Sequence, residues 1–192
     1  MSGCSRSDVA TGRHLVVVAS TDPSGTDALA ERLRDAVAVR TAYDVEEVLN
    51  RLDREVDAVL VDPTLADGAV ETVQNAGTGS ELECLVALLT DVPPDGTDAD
   101  AVVSPSVPDS TLRRDVLDLA IQARYRKTLE EYYDVACTAA RTNETEADPN
   151  RLQTRLDALT RRLEDTAEPM DPATLFRTVL DDDGRDADRE HD

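Results

Sequence analysis

Apolar residues fall along this chain in short unbroken runs, set between stretches with helical spacing. Five runs read as buried strands: residues 14–19 (HLVVVA), 37–41, 58–61, 84–90 (CLVALLT) and Ala101–Val103. Between them, residues 26–35 place Leu29 and Leu33 on one helical face. Residues 44–53 do the same with Val45, Val48, Leu49 and Leu52, and residues 70–75 predict a short helix closed by Gly77 and Gly79. Strands that are continuous apolar runs, alternating with helices, predict an α/β fold with a doubly wound parallel five-stranded sheet. Ligand sites on such sheets lie beyond the carboxyl ends of the strands. Those ends carry Ser20-Thr21-Asp22, Asp62, Thr90 and Ser104-Pro105.

After Leu112 the pattern is helical throughout. Asp109 or Ser110 is suited to cap a helix starting at Thr111. Val116, Leu119, Ile121, Tyr125, Leu129, Tyr132, Ala136 and Ala140 continue its apolar stripe. Residues 142–150 (TNETEADPN) form a polar turn, and Pro149 suits a helix start. Leu152, Leu156, Leu159 and Leu163 give the next helix one narrow seam, so the two helices predict a C-terminal antiparallel helical hairpin. Asp171-Pro172 opens a last short helix through Leu175, Phe176 and Val179, and the acidic residues 181–192 are expected to be disordered. The organisation is therefore a polar N-terminus over 1–12 that is expected to be disordered, an α/β domain over 13–116, a helical hairpin over 117–168 and a short helix with acidic tail over 169–192.

Composition narrows the function classes. The 192 residues include 41 acids and 20 Lys plus Arg, for a formal net charge of −21, and Lys127 is the sole lysine. Such a surface suits molar salt, where the Debye length of about 3 Å screens self-repulsion, so the chain is expected to be halophilic. Aromatic residues make up 3%, and Arg113-Arg114 and Arg161-Arg162 sit among carboxylates, which excludes nucleic acid as the expected partner. Residues 1–12 contain no apolar stretch of signal-peptide type, and no run approaches membrane-spanning length, so the expectation is a cytoplasmic protein without a membrane partner. Cys4, Cys84 and Cys137 lie far apart and there are two histidines, so zinc is not expected; Cys84 is expected in the core. No nucleophile elbow is present and no Gly-x-Gly-x-x-Gly follows the first strand, so neither an enzyme nor a dinucleotide binder is expected.

The order of pieces, with Asp57-Ala58-Val59-Leu60-Val61-Asp62 followed by Pro63-Thr64-Leu65-Ala66-Asp67-Gly68, resembles the receiver domain of two-component response regulators. The resemblance implies a receiver or flavodoxin-like fold with Asp62 as phosphoacceptor and Thr90 as the hydroxyl residue ending strand four. It makes Ser20, Thr21, Asp22, Thr64 and Ser104 positions of the same site. It would also bring Mg²⁺, with Asp62 as a ligand and Asp22 as a partial stand-in for the acids that follow strand one in the family, and a sensor histidine kinase as phosphodonor. The segment from Ile121 to Thr166, with Tyr125, Leu129, Tyr132, Tyr133 and Ala136, resembles the HalX domain, a haloarchaeal module found after receivers.

The departures matter as much. The family's acid pair after strand one is here Ser20 and Thr21, its lysine after strand five is Ser104, and its loop proline is Ala66. Mg²⁺ prefers carboxylate and water oxygens, and phosphoryl transfer to aspartate relies on cations around the transferring group. The expectation is therefore a pseudo-receiver without cofactor or catalytic residues, signalling through protein–protein interaction. The alternative is a phosphoacceptor receiver working through Asp62. Residues 91–100, rich in Pro and Gly, are too short for the usual helix between strands four and five. Taken singly, Asp62, Ser20, Thr21 and Thr90 also read as turn and cap residues. The seam of the long helix makes a homodimer through the hairpin a further expectation.

Overall fold

The computed structural model describes residues 13–77, 84–93, 98–141 and 149–175. The expectations for residues 1–12, for the turn at 142–148, and for Phe176, Val179 and the acidic tail fall outside them. Cα packing divides the chain into two units, Met1–Leu117 and Asp118–Asp192.

In the first unit the strands β1 (Leu15–Ala19), β2 (Ala38–Ala42), β3 (Val56–Val61), β4 (Leu85–Leu89) and β5 (Ala101–Val103) form one parallel sheet in the order β2-β1-β3-β4-β5. The helices α1 (Pro23–Leu33), α2 (Val45–Arg51) and α3 (Ala69–Gly77) connect consecutive strands, and the long helix α4 (Asp109–Arg141) follows β5. This order, with its reversal of direction between β1 and β3, is the doubly wound receiver arrangement, and it bears out the expected fold class.

Alternation along the strands sends side chains to two faces. Val17, Ala19, Val59, Val61 and Val86 join Val48 of α2 and Val73 of α3 in one buried cluster. Val16, Val18 and Leu60 are fully buried on the other face, as are Leu33 of α1 and Leu112 and Val116 of α4. β3 is buried along its whole length, which places its carboxyl end at the centre of the sheet edge. Cys84, expected in the core, is half-buried against the first cluster.

Several boundaries differ from the sequence reading. α1 begins at Pro23, because Asp22 caps it with its side chain on the Ser24 amide and proline takes the first turn. Ser20 and Thr21 are therefore not its caps. α4 begins at Asp109, two residues before Thr111, since the Pro108 carbonyl accepts from both Thr111 and Leu112. Leu49, assigned to the buried side of α2, is 38% exposed; Val48 is the fully buried residue of the helix, and Val45 packs half-buried against the same cluster. Among the described residues between β4 and β5 there is no helix.

A parallel sheet has no hairpins to hold its loops, so long-range polar contacts do that here. The Arg32 guanidinium donates to the Pro105 and Val107 carbonyls at 2.8 Å each and pairs with Asp109 at 2.7 Å. Arg113 of α4 returns the contact, donating to the Arg32 carbonyl at 2.5 Å and pairing with Asp35. Replacing Arg32 by alanine leaves two half-buried carbonyls without their charged donor. The expected loss, discounted for a side chain 30% exposed, is about 2 kcal/mol, read from urea unfolding.

In the second unit, the later turns of α4 are joined by ion pairs to the helix α5 (Pro149–Ala167). Glu131 of α4 receives both Arg155 at 3.0 Å and Arg162 at 3.3 Å from α5. Those arginines are seven residues apart, on one face of α5, beside the buried Leu159 and the half-buried Leu152, Leu156 and Leu163. Tyr132 and Tyr133 meet edge to face with centroids 6.0 Å apart. Burial, with the charge of Tyr133 second, raises the Tyr125 hydroxyl above its ordinary value. Residues 172–175 begin the last helix, capped by Asp171 on the Ala173 and Thr174 amides.

Candidate functional site

The carboxyl ends of β1 and β3 meet at the point where the sheet reverses, and Asp62 stands there. Its amide extends the ladder by donating to the Ala19 carbonyl at 2.8 Å. Pro63 follows and breaks the strand, so the chain turns at once. The Thr64 amide donates to Asp62 Oδ1 at 2.8 Å, closing an Asx turn, and the Thr64 hydroxyl donates to the same oxygen at 2.6 Å. Ser20, buried at the end of β1, donates its hydroxyl to Asp62 Oδ2 at 3.2 Å. Both carboxylate oxygens thus hold hydroxyl or amide donors.

Ser20 has a second task. Its Oγ accepts the Asp22 amide at 3.3 Å. Asp22 itself turns away into α1: its Oδ1 accepts the Ser24 amide at 3.1 Å, and its carbonyl accepts the Thr26 hydroxyl at 2.7 Å. A β-carbon built on Gly25 would come within 2.7 Å of Asp22 Oδ2, so glycine makes room for this cap. Asp62 and Asp22, the two carboxylates expected nearest to Mg²⁺, are therefore engaged separately, one by Ser20 and Thr64, the other by the first turn of α1. Among the described residues no three His, Cys, Asp or Glu side chains are grouped to hold a metal ion. Thr21 is exposed.

The other predicted site residues are placed at the strand ends but bound elsewhere. The Thr90 hydroxyl donates to the Val92 carbonyl at 3.1 Å and accepts the Val92 amide at 3.2 Å, folding the loop after β4 on itself. Ser104 donates to Asp91 Oδ1. Ser106 donates to Asp91 Oδ2 at 2.5 Å. The structure thus brings Ser20, Asp62 and Thr64 into one contact set, while Thr90 and Ser104 bond into the neighbouring loops. Hydrogen bonds from Ser104 and then Ser106 hold the Asp91 carboxyl below the ordinary carboxylate value. Sequence reasoning passed over Asp91 and Ser106. The signal was present in Ser104-Pro105-Ser106, which sets two hydroxyls two residues apart where the chain turns at a proline.

A further polar group lies at the opposite edge of the sheet. Asp57 is 2% exposed, and its Oδ2 accepts the Leu15 amide at 3.0 Å and meets His14 Nδ1 at 3.2 Å. It is also the residue at which the β1–β3 register slips, since Leu15 pairs with Val56 but Val16 with Ala58. Asp57 is thus the extra residue of a bulge, and its side chain takes over a backbone donor there.

No family profile matches the chain. A protein of Haloferax volcanii described as "Putative transcriptional regulator" is 33% identical over 136 residues, which cover 66% of this chain. The match spans 22% of that protein, so this chain corresponds to about a fifth of its relative's length. Among solved structures, a CheY-like response-regulator receiver domain from Methanospirillum hungatei superposes with a TM-score of 0.49 at 16% identity, covering 58% of this chain and 97% of that one. The BeF3-activated DrrB receiver domain gives 0.47 at 22% identity, covering 56% and 97%. The doubly wound arrangement of the first unit rests on its own strand order and connections.

Proposed function

We propose that the first unit is a pseudo-receiver, a receiver fold used in signal transduction for protein docking while Asp62 stays unmodified. The observation that carries this reading is the Ser20 hydroxyl on Asp62 Oδ2, together with the two Thr64 donors on Oδ1. An aspartate that accepts phosphate must offer an oxygen lone pair to phosphorus, beside cations that offset the charge of the transferring group. Here protein donors satisfy the carboxylate, and hydroxyls replace both the acids that would collect a metal cation and the lysine that would itself be a cation. The donor set does not fit Mg²⁺, because Asp22 is spent on a helix cap.

In this reading the second unit is a HalX-like hairpin that couples the receiver fold to a protein partner or to a second copy through its leucine seam, in a halophilic cytoplasm. The relative's description makes transcriptional control the signalling context that best suits it. The opposing reading is a phosphoacceptor served by a sensor histidine kinase. Its support is the half-buried position of Asp62 at the centre of the sheet edge.

Intact mass after incubation with acetyl phosphate and Mg²⁺ in molar KCl separates the two. No phosphoryl adduct is expected on the wild type, with the fold intact by circular dichroism. An adduct on the wild type that is absent from Asp62→Ala would overturn the proposal in favour of a working switch.

A further inference from the structure

We propose that Asp91, Ser104 and Ser106 form a latch that keeps the loop after β4 closed on the loop after β5, independently of events at Asp62. The inference extends the reading of the unit as a receiver fold without phosphoryl chemistry.

The argument begins with β5. It is an edge strand of three residues, joined to β4 through Ala101, Val102 and Val103 alone. So short a strand gains little from its ladder and needs anchors at its ends. At the first end, Asp100 supplies one: its carboxylate accepts the Val86 amide at 2.8 Å while its own amide donates to the Val86 carbonyl at 2.9 Å. At the other end, the ladder closes with the Thr90 amide on the Val103 carbonyl at 3.0 Å, and the chain then leaves as Ser104-Pro105-Ser106.

Asp91 is the matching anchor. Ser104 and Ser106 reach its two oxygens from 13 and 15 residues away, and the Ser106 amide approaches at 3.4 Å. Hydroxyl-to-carboxylate bonds are charge-assisted and among the stronger hydrogen bonds. Pro105, with its fixed φ, lies between the serines. Both partners of the latch are themselves held. Thr90 ties Asp91's loop through Val92, and Arg32 grips the Pro105 and Val107 carbonyls. The depressed Asp91 carboxyl agrees with two donors on one carboxylate. Ser104 occupies the place of a lysine that would answer to a phosphoryl group. Here it answers to a resident aspartate, which ties residues 90–92 to residues 104–106.

Amide hydrogen exchange on the full chain tests the latch without any phosphodonor. In Asp91→Ala, exchange at Thr90, Val92 and Ser106 is expected to rise about tenfold, with β1 and β3 amides unchanged. The Ser104→Ala/Ser106→Ala double variant should reproduce the rise and decides the case if Asp91→Ala fails to fold. Asp62→Ala should leave these amides within twofold of wild type. Unchanged exchange in the serine double variant overturns the latch. So does a rise in Asp62→Ala equal to that in the serine variant, because the corner would then follow Asp62. A phosphoryl adduct on wild-type Asp62 would overturn the pseudo-receiver reading and leave these exchange results to stand or fall by themselves.

Discussion

Replacement of Asp57 by alanine should cost the first unit about 3 kcal/mol, the largest loss expected from any single polar side chain described. The side chain is 2% exposed, on the central strand of the sheet. Its carboxylate accepts the Leu15 amide at the bulge, where the regular ladder offers that amide no carbonyl. Truncation leaves a buried N–H unsatisfied, removes the partner of His14, and opens a small void between β1 and β3. Asp57→Asn keeps an acceptor of the same shape and should cost about 1 kcal/mol, since it forfeits the charge and not the hydrogen bond. Urea unfolding of both variants, with m-values compared, measures the difference. Equal losses for Ala and Asn would mean that the charge on Asp57 matters and the bond to Leu15 does not.

The same residue shows where the sequence was legible and where it was not. Five strands, their order of appearance and the helices between them follow from periodicity, because a fully buried parallel strand must be a continuous apolar run. Asp57 interrupts that logic. Val56, Val59 and Val61 face one cluster although 56 and 59 differ in parity, and only a bulge at Asp57 reconciles them. Pattern alone assigns residue 57 to a family motif and starts the strand at Ala58. The bulge is a three-dimensional fact, set by how β1 and β3 must align.

The site divides in the same way. Strand-end positions were readable, so Ser20, Asp62, Thr90 and Ser104 lie at the carboxyl edge as expected. Their partners were not readable, since a hydroxyl can bond to whatever stands within 3 Å. Ser20 turns to Asp62, Thr90 to its own loop, and Ser104 to Asp91. Asp22, the carboxylate next in sequence to Ser20 and Thr21, is consumed locally because Pro23 starts a helix that needs a cap. Helix capping is decided within four residues of chain, so this use of Asp22 is local.

If the absent acids are what silences Asp62, restoring one should make the first unit depend on a divalent cation. In Ser20→Asp, a carboxylate replaces a donor that now lies 3.2 Å from Asp62 Oδ2. The variant loses that hydrogen bond and gains a like charge at close range, for an expected destabilisation of about 2 kcal/mol without metal. Mg²⁺ should reverse it, because a site with two facing carboxylates binds the folded state alone. At a hundredfold excess over the dissociation constant the recovery is about 2.7 kcal/mol. Thermal unfolding in KCl, with and without Mg²⁺, reads both effects, and the wild type should show neither. Adding Thr21→Asp should strengthen the response and bring a phosphoryl adduct from acetyl phosphate into view by intact mass. The order of the two effects carries the inference. Metal dependence without an adduct would place the remaining block at Thr64, whose amide and hydroxyl still hold Oδ1. No metal dependence at all would mean that the geometry around Asp62 has been rebuilt for its hydroxyl partners, and that the loss of phosphoryl chemistry cannot be undone by charge alone.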